Sequence, residues 1–112
     1  MVWGKNEHKV KKYATFIENR GFKCLVKSSV KDVCARCNLI ITILASKAPT
    51  IFKNYILPGT HITAAGAEAI GKRDLGSGVI SLANTVVTDS IQQFIERGEI
   101  SYALIEKEIR KE

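Results

Sequence analysis

The fold of this chain is most constrained by a run of aliphatic residues at positions 39–44, Leu-Ile-Ile-Thr-Ile-Leu. The run is apolar on both faces of an extended strand, because side chains alternate between the two faces along a strand. A strand of this composition is typical of the centre of a parallel sheet, where helices cover both faces. We therefore expect an α/β fold in which this strand is central.

Helical and strand patterns alternate on both sides of this run. Other strands are predicted at residues 1–4, 22–26, 60–65 and 85–88, and helices after Asn6 and Ser29, within 51–56, at 74–82, and after Asp89 or Ser90. The last of these helices is expected to turn Ile91, Phe94 and Ile95 inward. Such alternation predicts a parallel sheet with right-handed crossovers and helices on both faces.

Composition limits the class of protein. The chain has 112 residues, 46% hydrophobic and 25% charged, which is typical of one globular domain. Its net charge of +6 favours an anionic partner such as a nucleotide. The cations are scattered and form no basic stripe interleaved with aromatic residues, so nucleic-acid binding is not expected.

The sequence shows no sign of a membrane or secreted protein. No apolar run approaches the roughly 20 residues of a membrane-spanning helix, and the first residues lack a signal-peptide pattern. The three cysteines are therefore expected to be reduced thiols in the cytoplasm. Cys34 and Cys37 form a C-x-x-C, but they fall on the buried face of a predicted helix, which favours structural thiols over a metal or redox site.

The stretch at residues 58–75 has the pattern of a ligand site. It begins with a turn at Pro58 and Gly59, continues as a strand of small and β-branched residues, and then has a glycine break and a predicted helix start. This order places a site at the carboxyl edge of an open α/β sheet. Glu68 and Lys72 are the titratable residues within or just after the break.

Several segments together resemble the ornithine cyclodeaminase/mu-crystallin family. They are Val-Trp-Gly-Lys at 2–5, Ile-Ile-Thr at 40–42 with Ser46 and Pro49, Pro-Gly-Thr-His-Ile-Thr-Ala-Ala-Gly-Ala-Glu at 58–68, Gly-Lys-Arg-Asp-Leu at 71–75, Val-Val-Thr-Asp-Ser at 86–90 with Gln93, and Gly-Glu-Ile at 98–100. The resemblance implies that residues 1–100 form a partial NAD(P)-binding Rossmann-like domain, followed by a charged helical tail at 101–112. It also implies a homo-oligomeric enzyme class with NAD(P)-dependent chemistry on an amino acid or a cyclic imine.

The resemblance further implies that parts of the domain lie outside these residues. The family's first strand and its Gly-x-Gly-x-x-Gly turn come before the segment with which this chain begins, so we expect an internal fragment that is inactive alone. In the strand order 3-2-1-4-5-6 the missing strand is central. Residues 1–4 would then pair with 39–44, leave that edge open, or recruit a second chain. A non-catalytic nucleotide-binding or assembly module is the alternative function.

Candidate site residues follow from the resemblance. Glu68 stands where family members carry an aspartate that donates or accepts a proton, a role suited to a partly desolvated carboxylate; the alternative is a solvated loop residue. The cofactor-binding candidates are Gly4, Lys5, Asn6, Thr42, Leu44, Ala45 and Gly66, with Ser46 beside them. Residues 2–5 resemble the end of the family's second strand, where NAD enzymes place an acid. No acid occurs here until Glu7, and Lys5 is cationic, so the resemblance favours NADP over NAD. Lys72 and Arg73 are expected to be exposed, and His61 to be a structural residue.

Overall fold

The computed structural model describes residues 1–44, 46–66, 72–96, 99 and 104. Its elements are, in chain order, α1 Glu7–Glu18, α2 Val30–Arg36, β1 Leu39–Thr42, a 3₁₀ turn Lys53–Tyr55, β2 His61–Ala64, a second 3₁₀ turn Ile80–Leu82, and α3 Ile91–Glu96. No helix among these residues is long and apolar enough to cross a membrane.

The first two helices begin at the predicted capping residues. The Asn6 side chain accepts a hydrogen bond from the Lys9 amide at 3.0 Å, and the Ser29 hydroxyl accepts one from the Asp32 amide at 3.2 Å. Each contact satisfies an amide that has no partner within its helix. α1 buries Val10 and Ala14, whereas α2 buries Cys34.

The central run forms the parallel pair that its composition predicted. β1 pairs with β2 in parallel, with Leu39 opposite His61 and Thr42 opposite Ala64. Ile40 packs into the main core with Cys34 of α2. The parallel α/β class is therefore confirmed, in an incomplete form.

One face of this pair is bare, which differs from the expectation that helices cover both faces of the central strand. Leu39, Ile41 and Ile43 are 59%, 64% and 73% exposed. α2 covers the face that carries Ile40, and no described helix covers the other face. His61 lies on this bare face as well, so it is an exposed residue and not an interior one.

The strands predicted at 1–4 and 22–26 form only a single β-bridge. Val2 pairs with Val26 in parallel, through bonds from the Val2 amide to the Leu25 carbonyl and from the Lys27 amide to the Val2 carbonyl, both 2.9 Å. Residues 1–4 do not pair with β1 in the described structure. Of the arrangements expected for these residues, direct pairing with 39–44 is therefore not the one that the described structure has.

The main core is built from other residues of the described chain and not from the residues of this bridge. It contains Cys34, Ile40, Ile51, Leu75 and Val79, and the buried residues of α1 are not part of it. Ile51 and Leu75 form a second isolated parallel bridge, in which the Gly76 amide donates to the Ile51 carbonyl at 2.7 Å.

The predicted helix at 74–82 is wrong. Leu75 is extended in its bridge with Ile51, and only Ile80–Leu82 makes a 3₁₀ turn. Gly78 has a φ of +84°, which is incompatible with a right-handed helix. Long-range bonds to the Asp74 and Leu75 amides, described below, hold the segment out of a helix.

The last two elements also differ from expectation. Residues 85–88 are assigned no strand, because no described segment pairs with them. α3 is capped by Ser90, whose hydroxyl accepts from the Gln93 amide at 3.4 Å, but Ile91 is 72% exposed and does not face inward. The Phe94 side chain and all of the expected tail except Leu104 lie outside the described residues.

Candidate functional site

A lysine and a serine meet at the carboxyl ends of two separate strand segments. Lys5 follows Val2, and Ser46 follows β1, yet the Lys5 Nζ donates to the Ser46 Oγ at 2.7 Å. Ser46 is 5% exposed, so the bond is partly shielded from water. The contact brings the carboxyl ends of these two segments together. This is the edge at which open α/β sheets bind ligands.

The backbone before Lys5 is held close to α1. A Cβ added to Gly4 would lie 2.6 Å from the Val10 Cγ2, which is too close for any side chain. Glycine therefore lets the strand end pack directly on the helix that Asn6 caps. The candidates Gly4, Lys5 and Asn6 thus connect the bridge residue Val2 directly to α1.

The candidates that follow the two paired strands have different environments. Thr42 is 5% exposed, and its hydroxyl has no hydrogen-bond partner in the structure. Leu44 is half-buried, and Gly66 is buried two residues beyond the end of β2. Ala45 and the proton-transfer candidate Glu68 lie outside the described residues.

Ser46 also joins the site to the segment after the glycine break. The Arg73 amide donates to the Ser46 carbonyl at 2.6 Å, and the Arg73 Nε donates to the Leu75 carbonyl at 2.9 Å. Lys72 and Arg73 are both partly buried, whereas exposed side chains were expected. The segment at 72–75 therefore packs against the strand ends and does not extend into solvent.

Glu99 also binds the segment at 72–75. Its carboxylate accepts from the Asp74 amide and, at 3.1 Å, from the Leu75 amide. Glu99 is 5% exposed and lies more than twenty residues further along the chain. In the sequence, Glu99 stands out only as part of the Gly-Glu-Ile motif at 98–100. The motif does not indicate which amides the carboxylate binds.

Several effects shift the pKa of the Glu99 carboxyl, and they act in opposite directions. Burial raises the pKa of the Glu99 carboxyl above its ordinary value and outweighs the bonds from the Asp74 and Leu75 amides, which lower it. The Asp74 carboxyl adds to the rise, and Arg73 opposes it. Asp74 itself is fully buried, and neither oxygen of its carboxyl group has a hydrogen-bond partner in the structure. An unpaired buried carboxyl group is costly, so this is the least satisfied part of the described core.

A groove of about 1,260 Å³ lies beside β2. Its walls include β2, residues 57–60 and the extended segment 85–89, and Glu99 contributes to its lining. Small-molecule pockets typically have volumes of roughly 300–1,000 Å³. The groove is therefore large enough for a substrate or part of a cofactor.

The two cysteines of the C-x-x-C, Cys34 and Cys37, are not bonded to each other. Cys34 is fully buried and Cys37 is partly buried, and both are free thiols. Burial, followed by the influence of Cys37, raises the pKa of the Cys34 thiol. A raised pKa makes Cys34 a poor nucleophile, as expected of a structural cysteine.

Comparison with known proteins gives consistent matches. The model of the ornithine cyclodeaminase/mu-crystallin family matches residues 1–112. An alanine dehydrogenase from Archaeoglobus fulgidus is 32% identical over 98 residues, which cover 88% of this chain and 30% of that protein. The ketimine reductase mu-crystallin of Rattus norvegicus is 25% identical over 99 residues, or 88% of this chain and 31% of that protein.

A solved structure agrees with the fold. An archaeal alanine dehydrogenase dimer with bound NAD superposes with a TM-score of 0.84 and 29% identity over 96% of this chain and 32% of that one. The chain thus spans about a third of the length of the proteins that it matches.

Proposed function

Because this chain belongs to the ornithine cyclodeaminase/mu-crystallin family, we propose that it forms part of the NAD(P) site of an oxidoreductase acting on an amino acid or a cyclic imine. The observation that carries the proposal is the Lys5–Ser46 bond, which joins the carboxyl ends of two strand segments. The alanine dehydrogenase structure with bound NAD supports the cofactor class, and the ketimine reductase supports the imine substrate class.

The residues at this edge fit a nucleotide. Lys5 offers a cation, Ser46 and Thr42 offer hydroxyl groups, and the Thr42 hydroxyl has no partner of its own. A cofactor phosphate or ribose would replace Ser46 as the acceptor for Lys5 by a charge-assisted hydrogen bond. The nicotinamide ring, when bound, would carry the hydride.

NADP is the preferred cofactor in this proposal. NAD enzymes place an acid at the end of the second strand to bind the ribose hydroxyls, whereas a cation there accommodates the 2′-phosphate of NADP. Here the first acid, Glu7, is exposed and forms an ion pair with Lys11 at 2.8 Å. Lys5 is thus the charged residue that directly follows this strand end.

The test is a comparison of NADPH and NADH binding by fluorescence titration. NADPH is expected to bind about tenfold more tightly, which corresponds to roughly 1.4 kcal/mol, a value typical of a charged hydrogen bond. Lys5→Ala should remove most of this difference, whereas Lys12→Ala, which removes an exposed lysine from α1, should leave it unchanged. Equal binding of NADH and NADPH by the unaltered protein would contradict the NADP preference.

Catalysis is expected to need residues beyond these. The 112 residues contain no Gly-x-Gly-x-x-Gly turn, which in Rossmann domains binds the pyrophosphate. In the proposal Glu68 moves a proton at the substrate, and this chain alone binds NADPH without oxidising it. Steady NADPH oxidation by the purified chain with a cyclic imine would contradict this expectation.

A non-catalytic nucleotide-binding or assembly module is the second candidate. It is favoured by the same bond, since Lys5 and Ser46 can bind a phosphate without any chemistry. The two candidate functions predict different results for the whole protein. If it is an enzyme in which Glu68 moves a proton, Glu68→Gln should abolish turnover, whereas a non-catalytic module has no turnover to lose. The dimeric alanine dehydrogenase supports self-association of the whole protein as part of the proposal.

A further inference from the structure

Two neighbouring backbone amides, those of Asp74 and Leu75, share one side chain as their acceptor. Both donate to the carboxylate of Glu99, each to a different oxygen. An amide hydrogen lies in the plane of its peptide group, so fixing two consecutive amides sets the orientation of two peptide planes. Glu99 therefore determines the course of the backbone at 74–75, although it lies more than twenty residues further along the chain.

The same segment is also held through its carbonyl group. The Asp74 carbonyl accepts from the Thr50 and Ile51 amides, at 2.9 and 3.0 Å. Backbone bonds of this kind have narrow ranges of length and angle, so the segment has little freedom to shift while they remain intact. The backbone at residue 74 is thus fixed between residues 50–51 and Glu99.

This fixed segment is in turn the partner of Ser46. The amide of Arg73, the residue before Asp74, donates to the Ser46 carbonyl at 2.6 Å. The Ser46 hydroxyl accepts from the Lys5 Nζ at 2.7 Å. A continuous series of hydrogen bonds and backbone therefore connects Glu99 to the residues at the carboxyl ends of the strand segments.

Stability alone does not account for a carboxylate at position 99. Glu99 is 5% exposed, and burying a charged group costs free energy. An apolar side chain would avoid this cost, but it would leave the Asp74 and Leu75 amides without their acceptor. What the carboxylate provides is a defined geometry for the segment at 73–75.

On the basis of the function proposed above, we propose that Glu99 is a positioning residue of the nucleotide-binding edge. Through the segment at 73–75 it fixes Ser46 where the Ser46 hydroxyl can meet Lys5 or the cofactor. Glu99 does not touch the nucleotide in this role. Its loss should therefore weaken nucleotide binding without removing any group that contacts the ligand.

The test is the affinity of Glu99→Gln for 2′,5′-ADP, a nucleotide fragment with a 2′-phosphate, measured by calorimetric titration. Glutamine is almost the same size as glutamate, but only its single oxygen accepts, so one of the two amides loses its acceptor. The dissociation constant is expected to rise about fivefold, the factor that corresponds to one typical hydrogen bond. Loss of a negative charge would by itself tighten the binding of an anion, so the expected effect has the opposite sign.

Glu96→Gln is the matched control. It makes the same change of charge at an exposed position of α3, so it should not weaken the binding of 2′,5′-ADP. All variants are compared at a temperature at which denaturant unfolding shows them to be folded.

A double-variant cycle separates positioning from a general loss of structure. Ser46→Ala removes the hydroxyl group but keeps the carbonyl that the Arg73 amide binds. If Glu99 acts by placing the Ser46 hydroxyl, Glu99→Gln should cause no further loss of affinity in the Ser46→Ala protein. A general disturbance would instead weaken binding by the same factor in both backgrounds.

Amide exchange in the unaltered protein keeps the proposal testable even if Glu99→Gln does not fold. Coupling between two positions is reciprocal, so a nucleotide bound at Ser46 should in turn hold the segment that Glu99 binds. Saturating 2′,5′-ADP is expected to slow the exchange of the Asp74 and Leu75 amides about fivefold more than that of the His61 amide in β2.

Three results would each overturn the proposal while leaving the proposed function in place, because the unaltered protein still binds 2′,5′-ADP in all of them. They are equal affinity of Glu99→Gln and the unaltered protein, equal losses with and without the Ser46 hydroxyl, and equal slowing of exchange at Asp74, Leu75 and His61. Failure of the unaltered protein to bind 2′,5′-ADP would contradict the proposed function and the role of Glu99 together.

Discussion

At the scale of single residues, the site depends on contacts between positions that are distant in the chain. Lys5 binds Ser46, Arg73 binds the Ser46 carbonyl, and Glu99 binds the amides of Asp74 and Leu75. The sequence predicted Lys5 by its position after a strand, and the family motifs indicated Ser46. It could not predict that the two touch, because that contact depends on how the strands are arranged. The hydrogen bonds that Glu99 accepts from the Asp74 and Leu75 amides were not predicted, for the same reason.

The buried carboxylate of Glu99 predicts a pH dependence of stability. A folded-state pKa above the unfolded value means that the neutral form is favoured by folding, so this contribution is complete at acid pH and is lost as pH rises through the folded pKa. We expect the free energy of unfolding of the unaltered protein to fall relative to that of Glu99→Gln as pH increases from about 4. Denaturant unfolding at a series of pH values measures this difference.

Glu96 provides the control for that experiment. It is an exposed glutamate of α3, so Glu96→Gln should leave the pH dependence of the unaltered protein in place. A difference between the unaltered protein and Glu99→Gln that stays constant, or that grows in favour of the unaltered protein as pH rises, would contradict the assignment of burial as the dominant effect.

The close approach at Gly4 gives a second prediction at this scale. Gly4→Ala would place a methyl group 2.6 Å from the Val10 Cγ2, so the strand end or α1 must move. Overpacking of this kind typically costs about 1–3 kcal/mol of unfolding free energy. Because Lys5 follows directly, the substitution should also weaken NADPH binding. Unchanged stability and unchanged NADPH affinity would show that this packing does not position Lys5.

At the scale of elements, the capping signals were reliable, whereas local patterns failed where distant contacts determine the structure. The caps at Asn6 and Ser29 were predicted because each side chain bonds to an amide within its own first turn. The helix predicted at 74–82 does not form. The Asp74 and Leu75 amides donate to the Glu99 carboxylate, and Leu75 forms a bridge with Ile51. The strand predicted at 85–88 has suitable side chains but no described partner.

The Ser29 cap provides a test at this scale. Ser29→Ala should destabilise the protein by about 1 kcal/mol, because the Asp32 amide loses its acceptor at the start of α2. The neighbouring Ser28 hydroxyl makes only a long, exposed contact of 3.4 Å with the Asp32 carboxylate, so Ser28→Ala should change stability little. Thermal or denaturant unfolding compares the two variants, and equal effects would contradict the role given to the Ser29 cap.

At the scale of the whole molecule, the Lys5–Ser46 bond joins two parts of the described structure. One part holds α1 and the Val2–Val26 bridge, and the other holds the main core with β1 and β2. The family resemblance predicts that a further strand lies between these two parts. It could not predict that the Lys5–Ser46 bond would join them at the edge where a nucleotide is expected.

In the proposed function, Lys5 and Ser46 bind the adenosine end of NADP. The most direct test of this claim is an NMR titration of the protein with 2′,5′-ADP, a fragment that carries the 2′-phosphate but does not need the pyrophosphate turn. We predict saturable shifts of the Lys5, Asn6 and Ser46 amides, and loss of these shifts in Lys5→Ala. Shifts confined to other lysines, or an equal response to adenosine without any phosphate, would contradict the claim.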